Sequence, residues 1–126
     1  MPVVVTRPAA PRSCSTREPT ARTVSRIIRE TGMPAAAHLT CVDATRDEVD
    51  ATIADFMALG VRRFVALRGD PAAGVGSRYA PHPQGYANAA ELCAALSRHG
   101  DIDISVSAYP EKHPESADFA TDIDML

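Results

Sequence analysis

The sequence predicts an α/β domain of about four consecutive β-α units with parallel strands. Short apolar runs alternate with helical segments along the 126 residues. The runs are nearly continuously apolar, which is typical of parallel strands that are buried on both faces. Two architectures fit this order: an open doubly wound sheet, and consecutive units of a (β/α)8 TIM barrel. A complete barrel typically needs about 250 residues, so four units would form a partial barrel, about half of one.

In the first part of the chain the patterns predict a strand, a helix and a second strand. Residues 3–6 are rich in β-branched side chains and predict the first strand. Residues 7–22 contain three prolines, which break an amphipathic helix, and we expect a loop there. The helix predicted at residues 20–31 has apolar side chains on one face, namely Val24, Ile27 and Ile28. The apolar run 35–40 predicts the second strand.

The second helix has the clearest boundaries. Thr45 and Glu48 form a capping-box pattern, in which each side chain satisfies a backbone N–H of the first turn. An apolar stripe at helical spacing follows, formed by Val49, Ile53, Phe56 and Met57. Gly60 marks the C-terminal end of this helix, and the apolar residues 63–67 predict the third strand.

The second half of the chain continues the alternation. A long loop rich in glycine and proline is predicted from residue 71 to about residue 85. Residues 86–99 predict an Ala/Leu-rich helix, residues 102–108 a fourth strand, and residues 116–126 the start of another helix. That last helix reaches the final residue without a cap, which favours a chain that is a fragment of a longer protein.

Composition and charge exclude several classes of function. The net charge is −3 and the pI is near 5.7, so no nucleic-acid partner is expected. No apolar run approaches the roughly 20 residues of a membrane span, and we expect no membrane association. The three cysteines are an odd number without a CxxC pair, which favours a reducing, cytoplasmic location over a disulfide framework.

Polar side chains of chemical interest repeatedly follow the predicted strands. These residues are His38, Thr40, Cys41 and Asp43, then Arg68 and Asp70, then Tyr109, Glu111 and His113. Because the carboxyl ends of parallel strands line one rim, where such folds bind ligands, a site is predicted there. The His and Cys residues have no second ligand pair at a characteristic spacing, so no metal site is predicted. A structural alternative for the third strand end is that Gly69 permits an unusual backbone angle while Arg68 pairs with Asp70.

Four motifs carry a resemblance to a known family. They are Ser15-Thr16-Arg17-Glu18, His38-Leu39-Thr40-Cys41 leading to Asp43-Ala44-Thr45, Ala66-Leu67-Arg68-Gly69-Asp70-Pro71, and Tyr109-Pro110-Glu111-Lys112-His113-Pro114-Glu115. In order and separation they resemble the methylenetetrahydrofolate reductase family, from Ser15 to the end of the chain. The resemblance implies that residues 1–126 form one partial barrel, in which residues 1–14 are a divergent N-terminal segment.

The resemblance also implies an activity and a site. FAD would bind at the carboxyl-terminal rim, accept a hydride from NADH or NADPH, and pass it to 5,10-methylenetetrahydrofolate to give 5-methyltetrahydrofolate. The resemblance is also compatible with a homo-oligomer. The positions that match flavin-contacting ones are His38, Arg68, Gly69, Asp70, Tyr109, His113 and Asp122. Asp70 would also be catalytic, because its carboxylate can stabilise the cation formed when the folate's methylene bridge opens. Tyr86 and residues 81–83 would form a lid over the cofactor.

Two departures from the family pattern leave alternatives open. The family's catalytic Glu on the first strand, in a Glu-x-x-Pro-Pro setting, has no match before Ser15, and the family's last strands have no counterpart in the chain. One alternative is therefore a non-catalytic remnant that binds flavin or a partner chain without turnover. The other is an open doubly wound domain that binds a different ligand.

Overall fold

The computed structural model describes residues 3–6, 17–71 and 78–125. Within them the chain alternates regularly between strands and helices. In chain order these are β1 (Val3–Thr6), α1 (Arg17–Thr31), β2 (Ala35–Thr40), α2 (Arg46–Ala58), β3 (Arg63–Leu67), α3 (Ala89–Ser97), β4 (Asp103–Val106) and α4 (Phe119–Asp124). The first three strands have the predicted bounds, so those predictions are confirmed.

The four strands form one parallel sheet in the order β1-β2-β3-β4. Ala37 of β2 lies opposite Phe64 of β3, which in turn lies opposite Ile104 of β4. The α/β class with parallel strands is therefore confirmed. Each strand lies beside the one before it, without the reversal of strand order that a doubly wound sheet has at its switch point.

The core lies on one face of this sheet. Alternate residues of β2 and β3 contribute to it together with side chains from the first three helices; its largest fully buried members are Phe64, Leu39, Ile53, Leu92, Leu96, Val24, Val61 and Cys41. Because successive strand residues point to opposite faces, His38 and Thr40 point away from this core and are only half-buried. Helices α1 to α3 thus cover one side of the sheet, and the carboxyl ends of the strands lie along one rim.

The capping box at the start of α2 is present as predicted. The Thr45 hydroxyl accepts a hydrogen bond from the Glu48 backbone N–H at 3.2 Å. In return, Glu48 Oε2 accepts one from the Thr45 backbone N–H at 3.0 Å. Two backbone donors that the helix itself cannot pair are satisfied in this way. The helix consequently begins at a fixed residue and directs Val49 and Ile53 into the core.

The loop predicted over residues 7–22 was wrong for residues 17–22, which form the first turns of α1; the helix predicted from about residue 20 begins at Arg17 instead. Pro19 is the third residue of that helix. The N–H groups of the first helical turn have no intrahelical acceptor, so a proline there removes no hydrogen bond. The rest of the predicted loop, residues 7–16, lies outside the described residues.

The second half of the chain also differs from the prediction at its element ends. Helix α3 begins at Ala89 rather than at residue 86, because the Asn88 side chain caps it by accepting from the Glu91 N–H at 3.0 Å. Strand β4 spans four residues instead of seven, and its side chains are mostly exposed. Asp118 caps α4, which delays the start of that helix to Phe119.

We predict that Thr45→Ala lowers the free energy of unfolding by about 1 kcal/mol, because it leaves the Glu48 N–H without its acceptor. Chemical denaturation followed by circular dichroism would measure this. Thr45→Ser is the matched control: it keeps the hydroxyl and should retain most of the stability. Equal losses in the two variants would show that the hydrogen bond is not responsible.

Candidate functional site

A cleft of about 420 Å³ opens beyond the carboxyl ends of β3 and β4. It is lined by Leu67, Arg68, Gly69, Asp70, Asn88, Ala89, Ala90, Ser107, Ala108, Tyr109, His113, Glu115, Ser116, Asp122 and Met125. Six of the seven residues that the resemblance selected are among them. The parallel register places the ends of the two strands side by side, and the segments that follow each strand supply both walls.

Several residues that the sequence analysis singled out do not line this cleft, namely His38, Thr40, Cys41, Asp43, Tyr86, Glu111 and residues 81–83. His38 lies within β2, opposite Val65, and is half-buried. Tyr86 belongs to the hydrophobic core, where its hydroxyl donates a hydrogen bond to Asp50 Oδ1 at 2.7 Å. The flavin contact expected of His38 stays a prediction, whereas the structure gives Tyr86 a position in the core rather than over the cleft.

Both the backbone and the side chain of Arg68 are held in place by hydrogen bonds. Its carbonyl accepts the Val42 N–H at 3.0 Å, which extends the pairing of β2 and β3 past the last strand residue. Its guanidinium forms an ion pair with Glu115 through two contacts. The structural alternative, a pair between Arg68 and Asp70, is therefore replaced by a pair with the segment that follows β4. Hydrogen bonding to Glu115 raises the pKa of Arg68, and the same contact lowers the pKa of Glu115.

Gly69 occupies a position that other residues fit poorly. Its φ is +87°, in the left-handed region that L side chains rarely adopt. A Cβ at this position would also lie 2.5 Å from Val42 Cγ1 and 3.1 Å from Thr40 Cβ. The chain between Arg68 and Asp70 therefore turns tightly against the end of β2, at a position where only glycine fits without displacing Val42.

The segment from Tyr109 to Asp118 is held in place by Lys112 within it and by Asp122 of α4. Asp122 accepts the Ser116 hydroxyl at 2.7 Å and the His113 N–H at 3.0 Å. These two hydrogen bonds hold the pKa of the Asp122 carboxyl below its ordinary value. The Lys112 ammonium donates to the carbonyls of His113 and Ser116, and Lys112 itself has a positive φ of 79°. The wall of the cleft after β4 is thus ordered by local contacts.

Tyr109 and His113 present rings to this cleft. The two rings meet edge to face, with 5.0 Å between their centroids, and Tyr109 is 51% exposed. His113 Nδ1 accepts the Glu115 N–H at 3.1 Å. Because one ring nitrogen of a neutral imidazole is an acceptor and the other a donor, this bond leaves the proton on Nε2. His113 can therefore donate a hydrogen bond to an oxygen of a ligand.

Sequence reasoning missed two partners of Arg68. The Tyr79 ring lies 4.3 Å from Arg68 Cζ, in the range of a cation–π contact. Glu115, the last residue of the fourth motif, is the anion that pairs with the guanidinium. Glu115 stands 47 positions further along the chain, so no local pattern connects it with Arg68. The adjacency of β3 and β4 was the only sequence-level signal that could have suggested the pair.

Neither a metal centre nor a membrane span is found within residues 3–6, 17–71 and 78–125. No group of three or more His, Cys, Asp or Glu side chains in those ranges could hold a metal ion. No helix there is long and apolar enough to cross a bilayer. The candidate site is the cleft beyond β3 and β4, whose arginine, histidine and carboxylate lining residues are Arg68, His113, Asp70, Asp122 and Glu115.

Comparison with known proteins gives a consistent result. The family model for methylenetetrahydrofolate reductase matches residues 2–126. The chain is 44% identical over 107 residues to the 5,10-methylenetetrahydrofolate reductase of Salmonella typhimurium, and 42% identical over the same length to the protein of that name from Escherichia coli. The corresponding protein of Pectobacterium carotovorum is 41% identical. Each alignment covers 85% of this chain and 34% of the relative, so the aligned part of this chain spans about a third of the length of these relatives.

We predict that Gly69→Ala lowers the free energy of unfolding by at least about 2 kcal/mol, because it combines backbone strain with a collision against Val42. Gly60→Ala is the matched control: Gly60 has a φ of +90°, but a Cβ added there would have no neighbouring atom within 4 Å. Denaturant unfolding of both variants should show the larger loss for Gly69→Ala. A loss no greater than that of Gly60→Ala would contradict the close packing.

A second prediction concerns the pH dependence of the clamp formed by Asp122, that is, of the two hydrogen bonds that its carboxylate accepts from His113 and Ser116. Since the folded pKa of Asp122 is lowered, the clamp is fully present above the ordinary aspartate pKa of about 3.9 and is lost as the pH falls through the lower, folded value. The amide proton resonance of His113, followed by NMR, should therefore shift with a midpoint below about 3.9. Asp122→Asn should abolish this step. A midpoint at or above the ordinary value would refute the assignment.

Proposed function

Because the chain belongs to the methylenetetrahydrofolate reductase family, we propose that it takes part in the reduction of 5,10-methylenetetrahydrofolate to 5-methyltetrahydrofolate, with FAD as cofactor and NADH or NADPH as electron donor. The names of its relatives support the folate reaction. The observation that carries the proposal is the convergence of six resemblance-selected residues on one cleft.

For the fold, we propose that the chain forms about four units of a (β/α)8 barrel. The sequential strand order and the helices on a single face of the sheet support this. Carboxyl ends of barrel strands carry the active site in enzymes of this architecture. The second face of the sheet, with His38 and Thr40, would then face the interior of the barrel.

The cleft residues fit a flavin dinucleotide by their chemistry. A volume of about 420 Å³ lies within the range of small-molecule sites. Arg68 and the Nε2–H of His113 would donate charge-assisted and neutral hydrogen bonds to phosphate or ribose oxygens. Gly69 lines the cleft, and Tyr109 offers an exposed ring. When bound, the flavin supplies a two-electron carrier that accepts a hydride from a nicotinamide and gives it to the folate.

Asp70 is the residue that we propose acts on the folate. It is exposed at the cleft, directly after Gly69, so its carboxylate is accessible to a ligand. An anion there would stabilise the positive charge that develops on the folate when its methylene bridge opens. Asp70 would therefore lower the activation barrier for opening the methylene bridge, while Arg68 and His113 would bind and orient the cofactor.

One observation favours a second candidate, a flavin-binding chain without turnover. Strand β1 reads Val-Val-Val-Thr and contains no carboxylate, whereas the resemblance implies a catalytic glutamate on the first strand that protonates the folate. A chain without that acid would still hold the cofactor through Arg68 and His113. The two candidates differ in whether NADH or NADPH is oxidised when FAD and the folate are present.

We predict that the 126-residue chain binds FAD and that Arg68→Met weakens the binding about ten-fold or more, because one charge-assisted contact to phosphate is lost. Titration with FAD, followed by quenching of flavin fluorescence, would measure the dissociation constants. Arg63→Met is the matched control. Arg63 lies at the opposite end of β3 and pairs with Asp103 at 3.2 Å, so this variant loses the same charge and an ion pair away from the cleft.

Three outcomes decide between the candidates. FAD binding with NADH or NADPH oxidation in the presence of the folate supports the reductase. FAD binding that is sensitive to Arg68→Met, without such oxidation, supports the flavin-binding chain. A folded wild-type chain that does not bind FAD, or equal weakening by Arg63→Met and Arg68→Met, would overturn the assignment of the cleft.

A further inference from the structure

Tyr79 stands out among the residues around the cleft that the sequence analysis did not select. It belongs to the described part of the long loop between β3 and α3. Its ring lies 4.3 Å from the Cζ atom of Arg68, well within the roughly 6 Å over which an aromatic face attracts a cation. Its hydroxyl donates a hydrogen bond to the carbonyl of Ala87 at 3.0 Å. Tyr79 is thus held by two contacts, one between its ring and Arg68 and one between its hydroxyl and Ala87, which lies just before α3.

The surroundings of Tyr79 keep it in this position. The residue is half-buried, and it neighbours the thiol of Cys41, which itself donates to the Arg68 carbonyl at 3.6 Å. Burial raises the pKa of the Tyr79 phenol, so the hydroxyl remains protonated and able to donate at neutral pH. The ring therefore adds a neutral, apolar surface beside the guanidinium without competing for its charge.

Together, Tyr79 and Glu115 restrict Arg68 in complementary ways. The ring contacts the guanidinium from one side, while the carboxylate takes hydrogen bonds from its two terminal nitrogens. An arginine side chain has several rotatable bonds, and ordering it costs conformational entropy. A guanidinium that is already oriented in the free protein does not pay that cost again when an anionic ligand binds.

We propose that Tyr79 is a positioning residue, which holds the guanidinium of Arg68 in the orientation that receives the phosphate of a nucleotide cofactor. This inference rests on the proposed function for the identity of the ligand. The role is specific to Tyr79, because it is the ring that contacts Arg68. The next tyrosine along the chain, Tyr86, is part of the core, and its ring centroid lies 5.1 Å from the Cζ atom of a different arginine, Arg46.

The test is a double-mutant cycle on FAD affinity. Tyr79→Leu should weaken FAD binding about five-fold, the size expected for the loss of one cation–π contact. Tyr79→Phe keeps the ring and should stay within about two-fold of the wild type. In an Arg68→Met background, Tyr79→Leu should have no further effect, because its action passes through the arginine. Weakening of the same size in both backgrounds, or no weakening in either, would overturn the proposal.

A second measurement needs no ligand and separates this inference from the proposed function. In the free chain, the Nε–H resonance of Arg68 should show a ring-current shift that Tyr79→Phe retains and Tyr79→Leu removes. If the Arg68 resonance keeps its position in Tyr79→Leu as well as in Tyr79→Phe, the ring does not position the arginine, even if FAD binds. If the wild type shows the shift but does not bind FAD, the proposed function and the ligand named here both fail, whereas the ordering of Arg68 stands. Tyr79→Met replaces Tyr79→Leu if thermal unfolding shows that the latter does not fold.

Discussion

The parallel pairing of β2, β3 and β4 determines where the chemically reactive side chains lie. In this register Ala37, Phe64 and Ile104 stand side by side on the face that the helices cover. Burial of that face excludes any shift by one residue, because such a slip would turn every apolar side chain to the other side. The strands consequently end together, and the segments that follow β3 and β4 meet to form the cleft.

Arg68 connects the backbone framework with the chemistry of that cleft. Its main chain is tied to β2 through Val42, and its side chain reaches across to Glu115 beyond β4. An exposed ion pair contributes little to stability by itself. Its importance here is geometric, since the pair and the ring of Tyr79 fix the direction of a cation that stands beside the tight turn at Gly69.

Much of the fold was predictable from local patterns, whereas the partners within the site were not. The three β-branched or apolar strands and the capping box of α2 follow from residues close in sequence, and each was predicted correctly. The start of α1 was missed because a proline in a first helical turn resembles a helix breaker. Tyr79 was missed because its loop has no periodicity, and the role of Glu115 was missed because it depends on which strands are neighbours. Four cleft residues, Arg68, Asp70, Tyr109 and His113, were predicted from their position after the strands. The family resemblance added Gly69 and Asp122, and of the seven positions that it selected only His38 lies outside the cleft.

The uneven burial of the sheet has a consequence for the motions of the molecule. Four of the six residues of β2 are buried, while β4 is mostly exposed, and none of the six residues of α4 is buried. Segments with few buried contacts open at a lower free energy than the centre of a domain. Local unfolding should therefore begin at the β4 side, which carries one whole wall of the cleft. A ligand that joins this wall to Arg68 would draw the least protected part of the chain into the same cooperative unit as the core.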